Sequence, residues 1–186
     1  MPRLAITLLL TLAAPAAAGA QSQIGRFEVN AGVGVIFSNA QYVSSTSGLS
    51  LGAGYAFRLS NPLGLMVGAT ANVGDAADVT PVCLPEGGSC GASTLLPGNL
   101  YGLDTQFLVS PWGLDRWLRF GAGPGWSWAS DLSGGNNTSF TATGRADFVL
   151  PVRWPVRPII GLRATHVFDP IGVVEWYGGA SLGVTF

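Results

Sequence analysis

From residue 25 onward, apolar residues recur at every second position in block after block, and the blocks never merge into one long apolar run. Successive side chains on a β-strand point to opposite faces, so each block reads as a strand with one apolar face and one small or polar face. In the first block Phe27, Val29, Ala31, Val33, Val35 and Phe37 oppose Glu28, Asn30, Gly32 and Gly34. In the last, Trp176, Gly178, Ala180, Leu182, Val184 and Phe186 oppose Tyr177, Gly179, Ser181, Gly183 and Thr185. Blocks of the same kind begin near Leu49, Leu65, Tyr101, Leu118, Phe140 and Ile160, which predicts about eight strands. A helix cannot present this pattern on one side, because its faces repeat every 3.6 residues.

Composition says which side of such a sheet is wet. Charged residues make up only 10% of the chain, against roughly 25% in soluble globular proteins, and mean hydropathy is +0.39. A water-soluble sheet this poor in charge would be badly solvated. Beyond the first twenty residues no apolar run reaches the roughly 18–20 residues that a membrane-spanning helix needs. Alternating strands of about 9–11 residues cross a bilayer instead, and an even-numbered closed barrel leaves no unpaired edge in lipid. A net charge of −1 gives no electrostatic basis for nucleic-acid binding.

Residues 1–20 have the layout of a secretory signal peptide: Arg3, an apolar stretch Leu4 to Ala14, and Ala18-Gly19-Ala20 as small-x-small cleavage site. Residues 21–186 then form one domain. The ring side chains on the apolar faces fall into two groups, one at each end of the strands. Phe27, Phe57, Phe107, Phe120, Phe148 and Phe186 mark one rim; Phe37, Tyr101, Trp126, Trp128, Phe140, Phe168 and Trp176 mark the other. Two aromatic girdles are the signature of two membrane interfaces. Longer polar connections follow the first (Ser44-Ser45-Thr46-Ser47-Gly48), third, fifth and seventh blocks and shorter ones the second, fourth and sixth, with the seventh, Asp169 to Val173, short for this rule. They assign one end of the barrel to the cell exterior and the chain termini to the periplasm. Asn61-Pro62 and Trp154-Pro155 read as turns, Asp75 to Leu96 as a long irregular segment, Asp169-Pro170 as the lead into the last strand, and Pro124 as a bulge.

The final strand resembles the closing strand of bacterial outer-membrane β-barrels. Tyr177, Gly179, Leu182 and Val184, with Phe186 last, match the pattern that the assembly machinery of those proteins reads as an address. With the signal peptide and the alternation, the whole mature chain is similar to the small outer-membrane β-barrel family (OmpA-barrel and OmpX-like, often called porin-family proteins). That resemblance implies an all-β, eight-stranded antiparallel up-and-down barrel in the outer membrane of a Gram-negative-type bacterium. It implies contact with outer-membrane lipids and the assembly machinery, a monomer, and no periplasmic domain after the barrel.

Alternation turns Glu28, Arg58, Asp104, Arg119, Arg145, Asp147, Arg163 and Glu175 inward. Charges enclosed in a narrow barrel must pair, so these eight are expected to form an interior network, with Arg119, Arg145 and Arg163 bonded to acids among Glu28, Asp104, Asp147 and Glu175. An ion pathway is the functional alternative. Cys83 and Cys90, the only cysteines, lie in the long third connection and are expected to form a disulfide in an exported chain. His166, the sole histidine, faces lipid near one girdle, with neither a serine two residues on nor a G-x-S-x-G anywhere. No catalytic, cofactor or metal set is expected, and the predicted role is structural or surface-interacting. A narrow channel for ions or small apolar molecules is the second reading, and a membrane enzyme the third.

Overall fold

The computed structural model describes residues 25–38, 45–79, 94–112, 117–130, 137–152 and 154–186. The described residues form ten strands: β1 (Gly25–Ser38), β2 (Ser45–Arg58), β3 (Leu63–Gly74), β4 (Ala77–Val79), β5 (Thr94–Leu96), β6 (Asn99–Val109), β7 (Leu118–Ala129), β8 (Thr138–Val149), β9 (Arg157–Ile171) and β10 (Val174–Thr185). Eight of them close into an antiparallel barrel in the order β1-β10-β9-β8-β7-β6-β3-β2, and β4 pairs only with β5. The barrel closes with β1 on β10, where Phe27 and Phe186 exchange both backbone bonds at 3.0 Å.

The register fixes the barrel's shape. Following the pairs once round from Val35 leads through Gly178, Ala164, Gly144, Ala122, Phe107, Leu65 and Phe57 and returns to β1 at Gly25, ten residues away. A stagger of ten over eight strands tilts them about 40° to the axis and leaves an interior that side chains fill.

Four expectations need correction. The Asp75 to Leu96 segment is not wholly irregular, since β4 and β5 pair as a short hairpin from Ala77↔Leu96 to Val79↔Thr94. β9 runs through Asp169 and Pro170, and the turn into β10 is Gly172-Val173. Gly172 stands at φ 61°, a conformation glycine adopts without a Cβ clash. Pro124 makes no bulge. The β6–β7 register is the same on both sides of it, Asp104↔Gly125 and Phe107↔Ala122. Pro124 keeps its place opposite Ala142 on β8 and the two rungs between those β6–β7 pairs are simply absent, because proline has no N–H to donate. The Ser45–Ser47 stretch, polar enough to read as loop, extends β2 against Val35–Phe37.

Outward-facing positions carry the large exposed apolar residues, among them Val33, Leu49, Val67, Leu103, Leu162 and Leu182. Ring contacts occur at both rims: Phe27–Phe186 and Trp117–Phe148 at the end holding the turn 59–62, and Tyr101–Trp128 and Phe140–Phe168 at the opposite end. We call these the turn end and the loop end. These rings stand on outward-facing positions of β1, β6, β7, β8 and β9 or flank β7 and β10.

Candidate functional site

The lumen is layered. At the loop end Ile36, Leu100, Ala129, Val167, Ile171 and Val174 pack with Leu96 from the β4–β5 hairpin and Val173 from the β9–β10 turn into a buried apolar cluster. At the turn end Ala56, Met66 and Leu108 form a smaller one. The buried polar residues, Glu28, Asp104, Gln106, Arg119, Ser127, Thr141, Thr143, Asp147 and Thr165, fill the rest of the lumen, with Glu28, Arg119 and Asp147 as near the turn end as the smaller cluster. Alternation sets which residues face the lumen but does not sort them by depth: Arg119 is the second residue of β7 and Asp147 the third from the end of β8.

Arg119 is the hub. Its guanidinium binds Glu28 through two parallel N–H···O bonds, Nη1 to Oε1 and Nη2 to Oε2. It also donates to Asp147 Oδ2 from Nε at 3.0 Å and Nη2 at 2.7 Å. Arg145 Nη2 bridges the same two acids, 2.6 Å from Asp147 and 3.2 Å from Glu28. Arg163 pairs with Asp104, whose other oxygen accepts from Gln106 Nε2 at 3.0 Å. Three cations therefore meet three anions with no net charge left over, and side-chain exposure is 3% or less for Arg119 and all three acids. Gly121 and Gly161 leave space for this layer: a Cβ on Gly121 would sit 2.9 Å from Arg145 Cγ, and one on Gly161 2.9 Å from Asp147 Oδ1.

Two of the eight residues expected in the interior stand elsewhere. Arg58 is exposed at the turn-end terminus of β2, because parity sets the face but not the depth along the strand. Glu175 is half-buried at the loop-end rim. The β1–β10 register shifts between Phe37↔Trp176 and Ser38↔Val174, so Glu175 is the extra residue and Val174 takes the interior place. Cys83 and Cys90, and the signal peptide 1–20, lie outside the described residues.

Above the ion layer, Tyr177 reaches across to Ser127, oxygen to oxygen at 2.6 Å, and Thr143 meets Thr165 at 3.0 Å. A cavity of about 40 Å³ remains, bordered by Asn30, Ser50, Thr70, Asn72, Arg163 and Ser181. That is room for on the order of three waters. Thr70 Oγ1 and Arg163 Nε are buried there without a protein partner, which suits a hydrated pocket rather than an open pore. The Tyr177–Ser127 contact was not legible in the sequence; only the parity of both residues hinted at it.

His166 is half-buried on the outer wall, its ring 4.5 Å from Trp176 and 5.0 Å from Phe168. Among the described residues no acid or hydroxyl lies in hydrogen-bond contact with it, and no group of three or more metal-ligating side chains occurs. Tyr177, Gly179, Leu182, Val184 and Phe186 all lie on the closing strand or its end, with Tyr177 buried in the lumen and Leu182 exposed on the outer wall.

The architecture matches that of small outer-membrane eight-stranded barrels. Neisserial surface protein A (NspA) superposes with a TM-score of 0.59 at 18% identity, covering 87% of this chain and 95% of that one. The N-terminal β-barrel domain of Pseudomonas aeruginosa OprF gives 0.45 at 15% identity, over 87% and 97% of the two chains. Ail, the attachment invasion locus protein of Yersinia pestis, gives 0.44 at 11% identity, over 88% and 100%. No family model and no curated protein matches the sequence.

Proposed function

We propose that this protein is an integral outer-membrane barrel with a non-conducting lumen, acting in the envelope as a structural or surface-interacting element. Its chain termini and turn end face the periplasm, and its loop end faces the exterior. The observation that carries this reading is the lumen itself: an ion network spans it, a buried apolar cluster fills the loop end, and Ala56, Met66 and Leu108 pack beside the network at the turn end. A conducting pore lined by charge needs a continuous wet path, whereas here the charges are engaged with one another. The outward apolar wall and its two rims of rings support residence in lipid.

The closing strand, with Tyr177, Gly179, Leu182, Val184 and Phe186, serves as the assembly signal, and the leader 1–20 directs export. Fractionation tests the reading. The protein is expected in the outer-membrane fraction as a heat-modifiable band, and its deletion leaves uptake of small solutes unchanged. Recovery as a soluble periplasmic species, or a drop in small-solute uptake on deletion, would contradict it.

A further inference from the structure

Charge is segregated along the barrel axis. Among the described residues, the arginines outside the lumen network, Arg26, Arg58 and Arg157, all lie at the turn end. Asp75, Asp169 and Glu175, acids outside that network, lie at the loop end. The three arginines share one face. Arg26 is two residues from Glu28 on β1, Arg58 is two from Ala56 on β2, and Arg157 is paired with Thr185. Glu28, Ala56 and Thr185 are buried inward residues, so parity turns all three arginines into the barrel mouth, inside the ring of strands.

The register sets their spacing. Arg157 and Thr185 are direct partners, and Thr185 stands opposite Glu28, two residues along β1 from Arg26. Arg26 stands opposite Ala56, two residues along β2 from Arg58. Direct partners lie about 5 Å apart and diagonal ones about 7–8 Å, within reach of long side chains. Arg157, Thr185, Arg26 and Arg58 therefore form one arc over the adjacent strands β9, β10, β1 and β2.

The charge of this arc is surplus, because the lumen network beside it already matches three cations with three anions. Glu28 borders the arc but is held by Arg119 and Arg145. At its foot Thr185 is 2% exposed, and its Oγ1 has no hydrogen-bond partner among the described residues. A buried hydroxyl in that state marks a place for a further polar group. Arg26 and Arg157 are half-buried and Arg58 is exposed. Each of the three also interacts within the protein, and five N–H donors per guanidinium leave several for a second acceptor. A carboxylate would offer this arc two oxygens and one charge. A phosphate offers more oxygens and up to two charges, which suits planar forks and a hydroxyl converging from different strands.

We propose that the turn-end mouth is a binding site for a water-borne phosphate or phosphomonoester, with Arg26, Arg58 and Arg157 as its ligands and Thr185 Oγ1 donating at its base. The periplasmic address of the site rests on the membrane reading above; the site itself rests on parity, register and charge. A lipid headgroup carries the same chemistry, but these guanidiniums stand inside the ring of strands and not on the wall that lipid wets.

Calorimetric titration of inorganic phosphate into the full purified barrel in maltoside micelles measures this directly. One saturable site is expected, and none for chloride at matched ionic strength. Arg58→Gln, at an exposed position, is expected to weaken phosphate binding by about tenfold, the loss of one charge-assisted contact. Thr185→Val is expected to weaken it too while leaving the urea midpoint unchanged or raised, because the hydroxyl has no hydrogen bond to the described residues to lose. Thr185→Ser restores the affinity, a result that a packing role for the side chain alone would not give. Phosphatidylglycerol mixed into the micelles is expected to leave the phosphate affinity unchanged; competition by it assigns the site to lipid headgroups and overturns the proposal. Absence of a saturable site, or equal affinity in the wild type and the folded variants, also overturns it while leaving the membrane reading standing.

Discussion

Arg119 on β7 and Glu28 on β1 face each other across the full width of the barrel, since four strand steps separate β7 from β1 in either direction around the ring. Their two parallel bonds are a strut across the lumen, and Asp147 on the adjacent β8 braces its base. Burying charges costs several kcal/mol per ion, and pairing roughly offsets that cost, so the network adds little net stability as a whole. Breaking it is another matter.

Truncating one member leaves a buried charge without compensation. Arg119→Leu is expected to cost roughly 3–5 kcal/mol. Arg58→Gln at the exposed end of β2 is expected to change stability by no more than about 0.5 kcal/mol. Urea unfolding of both variants in the same lipid checks the contrast, and equal losses would show that Arg119 acts as a rim charge does.

Two glycines separate interior crowding from strand propensity. A Cβ on Gly102 would lie 2.9 Å from the Tyr177 hydroxyl and 3.1 Å from Thr70 Oγ1, whereas one on Gly144 meets nothing within 4 Å. Gly102→Val is expected to destabilise by about 1–3 kcal/mol through overpacking. Gly144→Val on the outer wall is expected to be neutral or stabilising, because a β-branched residue suits a lipid-facing strand. The same unfolding assay reads both, and a loss at Gly144 matching that at Gly102 would argue against the inward and outward assignment.

Faces were legible because a strand's side chains alternate regardless of what it pairs with. The inward parity of Glu28, Asp104, Arg119, Arg145, Asp147 and Arg163 needed nothing more. Which acid meets which arginine was not legible, because Arg163 on β9 reaches Asp104 on β6, three strands round the ring, and such pairs depend on the stagger. Depth was illegible for Arg58 for the same reason. Glu175 failed differently, since a bulge shifts parity and leaves no mark in a stretch of Val174, Glu175 and Trp176. Turn and hairpin ends such as Asp169-Pro170 misled because proline near a strand end breaks few bonds.

Phe186 closes the barrel through reciprocal backbone bonds and a ring contact with Phe27 at 5.6 Å. If it also serves as an assembly address, Phe186→Asp lowers the yield of folded barrel in cells while the purified variant still refolds in detergent. Equal failure in both settings would assign the residue to the Phe27 contact alone.

Cys83 and Cys90 are expected to be oxidised to each other in the exported protein. Thiol titration of the unreduced chain should find none free, and reduction should leave the barrel folded, because the cross-link closes only a short connection. One or more reactive thiols in the unreduced protein would contradict the pairing.

The closed lumen is tested most directly by planar-bilayer recording of the purified barrel. The ion network, with the loop-end apolar cluster and the smaller cluster packed beside it, predicts insertion with no stepwise conductance above the bare bilayer. Steady, charge-selective conductance that changes selectivity on Arg119→Gln, with stability retained, would contradict the account.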